Sequence, residues 1–215
     1  MPNQSLAEKM EAARLLIFNS TDPEVAPLLD AYGIDEPYLL ERMTLYNTTA
    51  ELIQKQIQEY RESDLAYDEF YVAKDEVQEA VARTVKLVRV LSRNDADLQN
   101  RLNLHTAFPD SIADWIEHTI TFYTLLQGET EFVTTLNRFK LTTEKIQQEK
   151  DMVHNLKQLR EKVTVENGQA QEATRERNEK LDQLDDYCTE LKVIARLALE
   201  SKPQLLEKLG VMVRN

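Results

Sequence analysis

The sequence predicts an all-α protein, and three observations carry that prediction. Glycine is scarce, 4 in 215 residues, against about 7% of an average chain, so few tight turns can be built. Apolar residues recur at steps of three and four through most of the chain, the spacing of one helix face. Strand signals, runs of β-branched and aromatic residues between turns, are nearly absent. The length suggests one domain or two small ones.

The elements follow from local punctuation. Residues 4–18 are amphipathic, with Leu6, Met10, Ala13 and Ile17 on one face. Asp22-Pro23 starts a short helix, since proline's missing N–H costs nothing in a first turn. Gly33 stops it, as glycine does past a helix end. Asp35-Glu36-Pro37 restarts the chain in the same way. A long helix is expected over 36–62, with Leu39, Met43, Tyr46, Ala50, Ile53, Ile57 and Tyr60 in alternating steps of four and three. That is an a/d heptad seam. Ser63 and Asp64 are cap-type residues and mark a hairpin at 61–64. The next helix, about 65–93, repeats the pattern with Ala73, Val77, Ala80, Thr84, Leu87 and Leu91.

The second half follows the same plan. Pro109-Asp110-Ser111 opens a helix to about 126, and Gly128 ends it. A short helix covers about 129–139. Thr142 or Thr143 caps the next, which carries Ile146, Val153, Leu156 and Val163. Asn167-Gly168 reads as a turn. The last long helix runs over about 169–200, with Ala173, Leu181, Leu184, Cys188, Leu191, Ala195 and Ala198 on one face. Pro203 opens a final short helix and Gly210 follows it.

The two halves share a register. Lys86–Leu104 lies over Val193–Val211, setting Arg89 on Arg196, Leu98 on Leu205 and Leu102 on Leu209, an offset of 107 (196 − 89). The same offset sets Leu29 on Leu136, Tyr32 on Phe139 and Ile34 on Leu141. Two tandem repeats of about 107 residues are therefore expected, 1–107 and 108–215. Each would hold three long and two short helices in an antiparallel bundle. The linker over 104–110 is short and partly apolar, which favours repeats packed together.

The closing segment Ile194–Val211 resembles the end of a group of uncharacterised, internally duplicated all-helical bacterial proteins. In that group a Tyr-Gly or Phe-Gly step precedes the first long helix of each repeat. Tyr32-Gly33 fits the pattern, and Phe139-Lys140 departs from it. The resemblance implies a duplicated helical fold and carries no activity.

Composition excludes several functions. The net charge is −12. Residues 1–107 carry 11 basic and 19 acidic residues, and the remainder 15 and 19, so neither half is a cationic arm. Nucleic acids and anionic membranes, which attract Lys and Arg, are not expected partners. Cys188 is the only cysteine, so no internal disulfide forms and a reducing cytoplasm is expected. Residues 1–20 mix Glu8, Lys9, Glu11 and Arg14 among the apolar positions, unlike a signal peptide. The run Leu15–Phe18 is far short of the ~20 residues that span a bilayer. Four scattered glycines make no phosphate-cradling loop.

Chemistry-bearing residues are few. Cys188 lies on the apolar face of a heptad helix and reads as a small buried thiol. Di-iron bundles use Glu-x-x-His on two helices. Here only Asp151-x-x-His154 and Asp114-x-x-x-His118 come near that spacing, and His105 stands alone. No metal or cofactor site is expected. The acidic pairs Asp35-Glu36, Asp68-Glu69, Asp75-Glu76 and Asp185-Asp186 read as solvated helix faces.

Two groups stand out. Tyr60, Tyr67, Phe70 and Tyr71 crowd the expected first hairpin. They read either as a partner-docking patch, where tyrosine is a favoured anchor, or as rings packed on a neighbouring element. Arg89 and Arg196 each sit inside an apolar stretch. They read as structural clamps on the following short helix, through its carbonyls or a carboxylate. The expected function is a non-enzymatic interaction or scaffold module of the cytoplasm, with a protein partner or self-association. The alternatives are a ferritin-like metal–carboxylate bundle and a secretion-chaperone-like binding protein.

Overall fold

A computed structural model describes residues 4–212. Among them are eight helices and no strand: α1 (Leu6–Asn19), α2 (Ala26–Asp30), α3 (Glu36–Leu91), α4 (Ala96–Arg101), α5 (Ile112–Gly128), α6 (Thr130–Asn137), α7 (Thr143–Ala198) and α8 (Pro203–Lys208). The all-helical class expected from the sequence is what the chain adopts. None of the helices is long and apolar enough to cross a membrane.

The starts are set by side-chain caps. Ser5 and Glu8 form a capping box on α1: Ser5 Oγ accepts from the Glu8 N–H at 3.3 Å, and Glu8 Oε2 accepts from the Ser5 N–H at 2.8 Å. Asp35 accepts from the Tyr38 N–H at 2.9 Å at the head of α3. Thr142 accepts from the Lys145 N–H at 3.3 Å at the head of α7. Each satisfies one orphan donor of a first turn.

One expectation is overturned. The helices expected over 36–62 and 65–93 are one helix, α3, of 56 residues. Those expected on either side of Asn167-Gly168 are likewise one 56-residue helix, α7. Neither the hairpin at 61–64 nor the turn at 167–168 exists, so the count of three long helices per repeat falls. The reason lies in the breakers. From Tyr38 to Leu91 there is no glycine or proline, and Ser or Asp inside a helix costs only about 0.5 kcal/mol relative to Ala. The inward face of α3 also runs straight through the expected break. Thr49, Leu52, Gln56, Glu59, Ser63, Ala66, Phe70, Ala73, Val77 and Ala80 are each buried or half-buried, in steps of three and four. Polar and small residues hold that face at Gln56, Glu59 and Ser63, which is why the pattern looks interrupted. In α7 Gly168 is exposed, and the inward positions Val163, Glu166, Ala170, Ala173 and Arg177 pass it in the same steps.

The chain divides into two compact units: Met1–Tyr60 with Gln169–Asn215, and Arg61–Gly168. Unit 1 takes α1, α2, the first part of α3, the last part of α7, and α8. Its core joins Leu16, Ile17, Leu29 and Leu39 to Leu184, Leu191, Leu199 and Leu209. Unit 2 takes the rest of α3, α4, α5, α6 and the first part of α7. Its core joins Val77, Val85 and Val88 to Phe122, Leu126, Leu136, Ile146 and Leu156. Each fully buried side chain of this size contributes about 1.5–3 kcal/mol. Polar links close the ends: in unit 1 Lys208 pairs with Glu24 at 2.7 Å, and in unit 2 Arg101 pairs bidentately with Glu129 at 2.7 and 3.0 Å.

The helix bounds repeat along the chain. α3 and α7 begin and end 107 residues apart (143 − 36, 198 − 91), and so do α4 and α8 (203 − 96, 208 − 101). Four turns share one geometry. Gly33, Asn103, Lys140 and Gly210 have φ of 85°, 53°, 61° and 70°. The residue after each, Ile34, Leu104, Leu141 and Val211, donates its N–H five residues back at 3.0 to 3.3 Å and is buried. This is the left-handed cap with its hydrophobic seal.

The backbone therefore makes three predictions that urea unfolding can check. Gly168→Ala should stabilise by about 1 kcal/mol, because a β-carbon there meets nothing and alanine favours the helix. Lys140→Gly should stabilise by roughly 1 kcal/mol by relieving a left-handed non-glycine residue. Gly33→Ala should cost a similar amount, about 1 kcal/mol, for the converse reason.

Candidate functional site

Each unit carries one groove, and the two grooves are built from matching positions. In unit 1 a groove of about 550 Å³ is lined by Glu41, Arg42 and Leu45 of α3 and by Gln183, Asp186, Tyr187 and Glu190 of α7. In unit 2 a groove of about 470 Å³ is lined by Gln148, Glu149 and Met152 of α7 and by Glu76, Glu79, Ala80 and Arg83 of α3. Every one of these seven pairs is separated by 107, as in 149 − 42 and 187 − 80.

The charge at the centre is inverted between them. Glu149 is buried at 6% exposure. Its Oε2 accepts from Thr84 Oγ1 at 2.6 Å and from Tyr123 Oη at 2.8 Å. Burial first, and then the adjacent Glu149 carboxylate, push the Tyr123 hydroxyl far above the ordinary tyrosine range. Tyr123 is thus held as a neutral donor. In unit 1 the positions matching Thr84 and Tyr123 are Leu191 and Leu16, which offer no donors. There the central residue is Arg42. Its guanidinium lies 4.7 Å from the Tyr38 ring centre and 5.0 Å from that of Tyr187, a cation–π arrangement. Its Nη1 reaches Glu41 at 3.4 Å. Arg42 Nε and the Tyr187 hydroxyl are buried and have no protein partner among the described residues.

These polar centres were missed in the sequence. A signal was present: Arg42 and Glu149 stand at the three-or-four spacing of the apolar face, next to Leu39 and Leu45 in one case and between Ile146 and Val153 in the other. A charge in that register is either exposed by a local twist or buried with partners.

The residues singled out from the sequence fall as follows. Tyr60, in unit 1, is 45% exposed, with its hydroxyl 3.4 Å from Thr174 Oγ1. In unit 2 Tyr67 and Tyr71 are exposed and stacked, with centres 6.4 Å apart and planes 18° from parallel. Phe70 is buried beneath them, edge-on to Tyr71 at 5.4 Å, and Lys74 Nζ lies 5.4 Å over the Tyr71 ring. Arg89 donates from Nη2 to the Leu104 carbonyl at 3.4 Å, just past α4. Arg196 is exposed on α7. Asp151 and His154 face outward on α7, Asp114 and His105 are exposed, and His118 is half-buried with its ring 4.5 Å from that of Phe108. Cys188 is buried in unit 1.

No protein-family model, curated protein or solved structure matches the chain. What the two centres do chemically must be read from their own geometry. Glu149 carries two hydroxyl donors on one oxygen, a satisfied buried carboxylate that fixes how α3, α5 and α7 meet within unit 2. Arg42 holds two rings in place in unit 1 by dispersion and cation–π attraction. The Cys188 thiol is pushed up to about 11, mainly by burial, so it stays protonated and unreactive at neutral pH.

Two tyrosines should respond oppositely to loss of the hydroxyl. Tyr123→Phe strips a donor from a buried carboxylate and should cost about 1.5–3 kcal/mol. Tyr187→Phe removes a buried hydroxyl without a partner, and should leave stability unchanged or raise it by up to about 1 kcal/mol. Urea titration of both variants checks the pair. For Cys188 the folded value lies above the free value of 9.0. Its contribution is complete below pH 9.0 and disappears as pH rises towards about 11. Over that window wild type should lose roughly 2 kcal/mol more than Cys188→Ala.

Proposed function

We propose that this protein is a helical scaffold of the bacterial cytoplasm that docks a protein partner, with no chemistry of its own. The observation that carries this reading is the stacked, exposed pair Tyr67 and Tyr71 on α3 of unit 2, seated on the buried ring of Phe70. Rigid aromatic side chains with a packed base bury much area at low entropic cost, which is what interface hot spots require. Leu65 and Val72 are exposed on the same helix and extend the apolar surface around them. The single, buried cysteine and the acidic composition fit a cytoplasmic setting.

The scaffold itself we read as two tandem repeats of about 107 residues, 1–107 and 108–215. Support comes from the helix bounds that recur at 107, from the four left-handed turns at Gly33, Lys140, Asn103 and Gly210, and from the seven matched groove positions. Tyr67 and Tyr71 match Thr174 and Asn178, so the aromatic face belongs to one repeat alone, as a partner-specific surface would.

The test is capture from source-cell lysate on immobilised protein, wild type against the Tyr67→Ala, Tyr71→Ala double variant. A partner held by wild type should be lost by a variant with an unchanged melting temperature. Hot-spot rings of about 2 kcal/mol each make that loss at least about thirtyfold in affinity. A variant that binds the same proteins equally well, or that melts well below wild type, returns these rings to a packing role.

A further inference from the structure

We propose that a second groove in unit 2 binds a small amphipathic anion, a carboxylate or sulfonate carried on an apolar body. The groove is about 460 Å³, within the size range of small-ligand sites. Its floor is Val81 and Val85 of α3, buried at 3% and 6% exposure. Phe108 and the half-buried Trp115 of α5 form its wall, and Lys86 and Arg89 stand on its rim. No acidic residue lines it, in a chain with 38 acidic and 26 basic side chains.

The two rim cations are uncommitted. Lys86 has no hydrogen bond or ion pair among the described residues. Arg89 makes one long hydrogen bond, 3.4 Å to the Leu104 carbonyl, and leaves most of its N–H groups unused. They lie three residues apart, hence on one face of α3. An anionic head group between them would meet opposite charge on both sides, while its apolar body covered Val81, Val85 and Trp115.

A simpler account covers only part of this. Arg89 lies in the last turn of α3, where a cation complements the helix carbonyls. Arg196 holds the same place at the end of α7, so that role explains the arginine in both copies. It does not explain the rest. At the positions 107 residues away from Val85, Lys86 and Trp115 stand Lys192, Val193 and Glu8. The apolar floor, aromatic wall and second cation therefore occur together in unit 2, and repeat packing does not require them.

Trp115 is the only tryptophan, so the groove reports on itself. The probes are anilinonaphthalene sulfonate and its uncharged relative N-phenylnaphthylamine, titrated against the folded full chain. Saturable one-to-one binding of the sulfonate is expected, with energy transfer from Trp115. The neutral amine should bind at least about tenfold more weakly, the factor one charge-assisted hydrogen bond supplies. Lys86→Gln combined with Arg89→Gln should bring the sulfonate down to the level of the amine. Should the double variant melt early, Lys86→Gln alone decides, with an expected loss of about threefold, as for one partly exposed ion pair. Equal affinity for both probes, no transfer from Trp115, or full sulfonate binding by the folded variant overturns the proposal.

Discussion

Everything in this fold depends on two helices that do not break. α3 and α7 stay helical for 56 residues each because one inward face, spaced at three and four, continues from end to end. Helix propensity alone would not enforce that, since isolated helices gain most of their stability from the surface they bury. The small residues Ser63 and Ala66 in α3, and Ala170 and Ala173 in α7, are all buried. They keep the face continuous where bulkier apolar residues give out. With the long helices in place, the short ones need only cover the ends of each core, and the left-handed turns fix the angle at which they do so.

The two halves illustrate how matched positions diverge without loss of packing. The turn at Gly33 and the turn at Lys140 have nearly the same backbone, although a glycine is replaced by a lysine that must tolerate positive φ. At the grooves the change goes further. A carboxylate at Glu149 comes with Thr84 and Tyr123 as donors. A guanidinium at Arg42 comes with Tyr38 and Tyr187 as ring partners, and with leucines where the donors would be. Each buried charge is matched by its own surroundings, as the cost of desolvating an ion demands. Such inversions arise when central charge and neighbours change together, because either change alone would strand a buried polar group.

Much of the architecture was legible in the sequence, for identifiable reasons. The starts at Asp35 and Pro203 and the stops at Gly33, Gly128 and Gly210 are written in residues with strong local preferences. The offset of 107 was legible in apolar register and breaks, and it reappears in the helix bounds. What misled was the middle of each long helix. Ser63-Asp64 and Asn167-Gly168 resemble punctuation, yet their cost is about 1 kcal/mol or less apiece. The burial on either side outweighs it, a tertiary effect that no short window contains. The polar centres were hidden for a related reason. Arg42, Glu149 and Tyr123 are ordinary helix residues until the elements that face them are known. The aromatics near Tyr67 were visible as composition, but that Phe70 turns inward while Tyr67 and Tyr71 stay outside depends on the phase of a helix that had been read as two.

The division into units has a consequence for biosynthesis. Unit 2 is one continuous stretch, Arg61–Gly168, whereas unit 1 draws on both flanks of it. On the ribosome the inner unit has all its residues once Gly168 emerges. The outer unit must wait for Leu184, Leu191 and Leu206 to meet Leu16, Ile17 and Leu29. Until then the first sixty residues are an unsatisfied apolar surface attached to a finished neighbour, the condition in which nascent chains draw on chaperones. Premature termination after Gly168 would release a molecule whose inner unit is complete and whose opening helices have nothing to cover them.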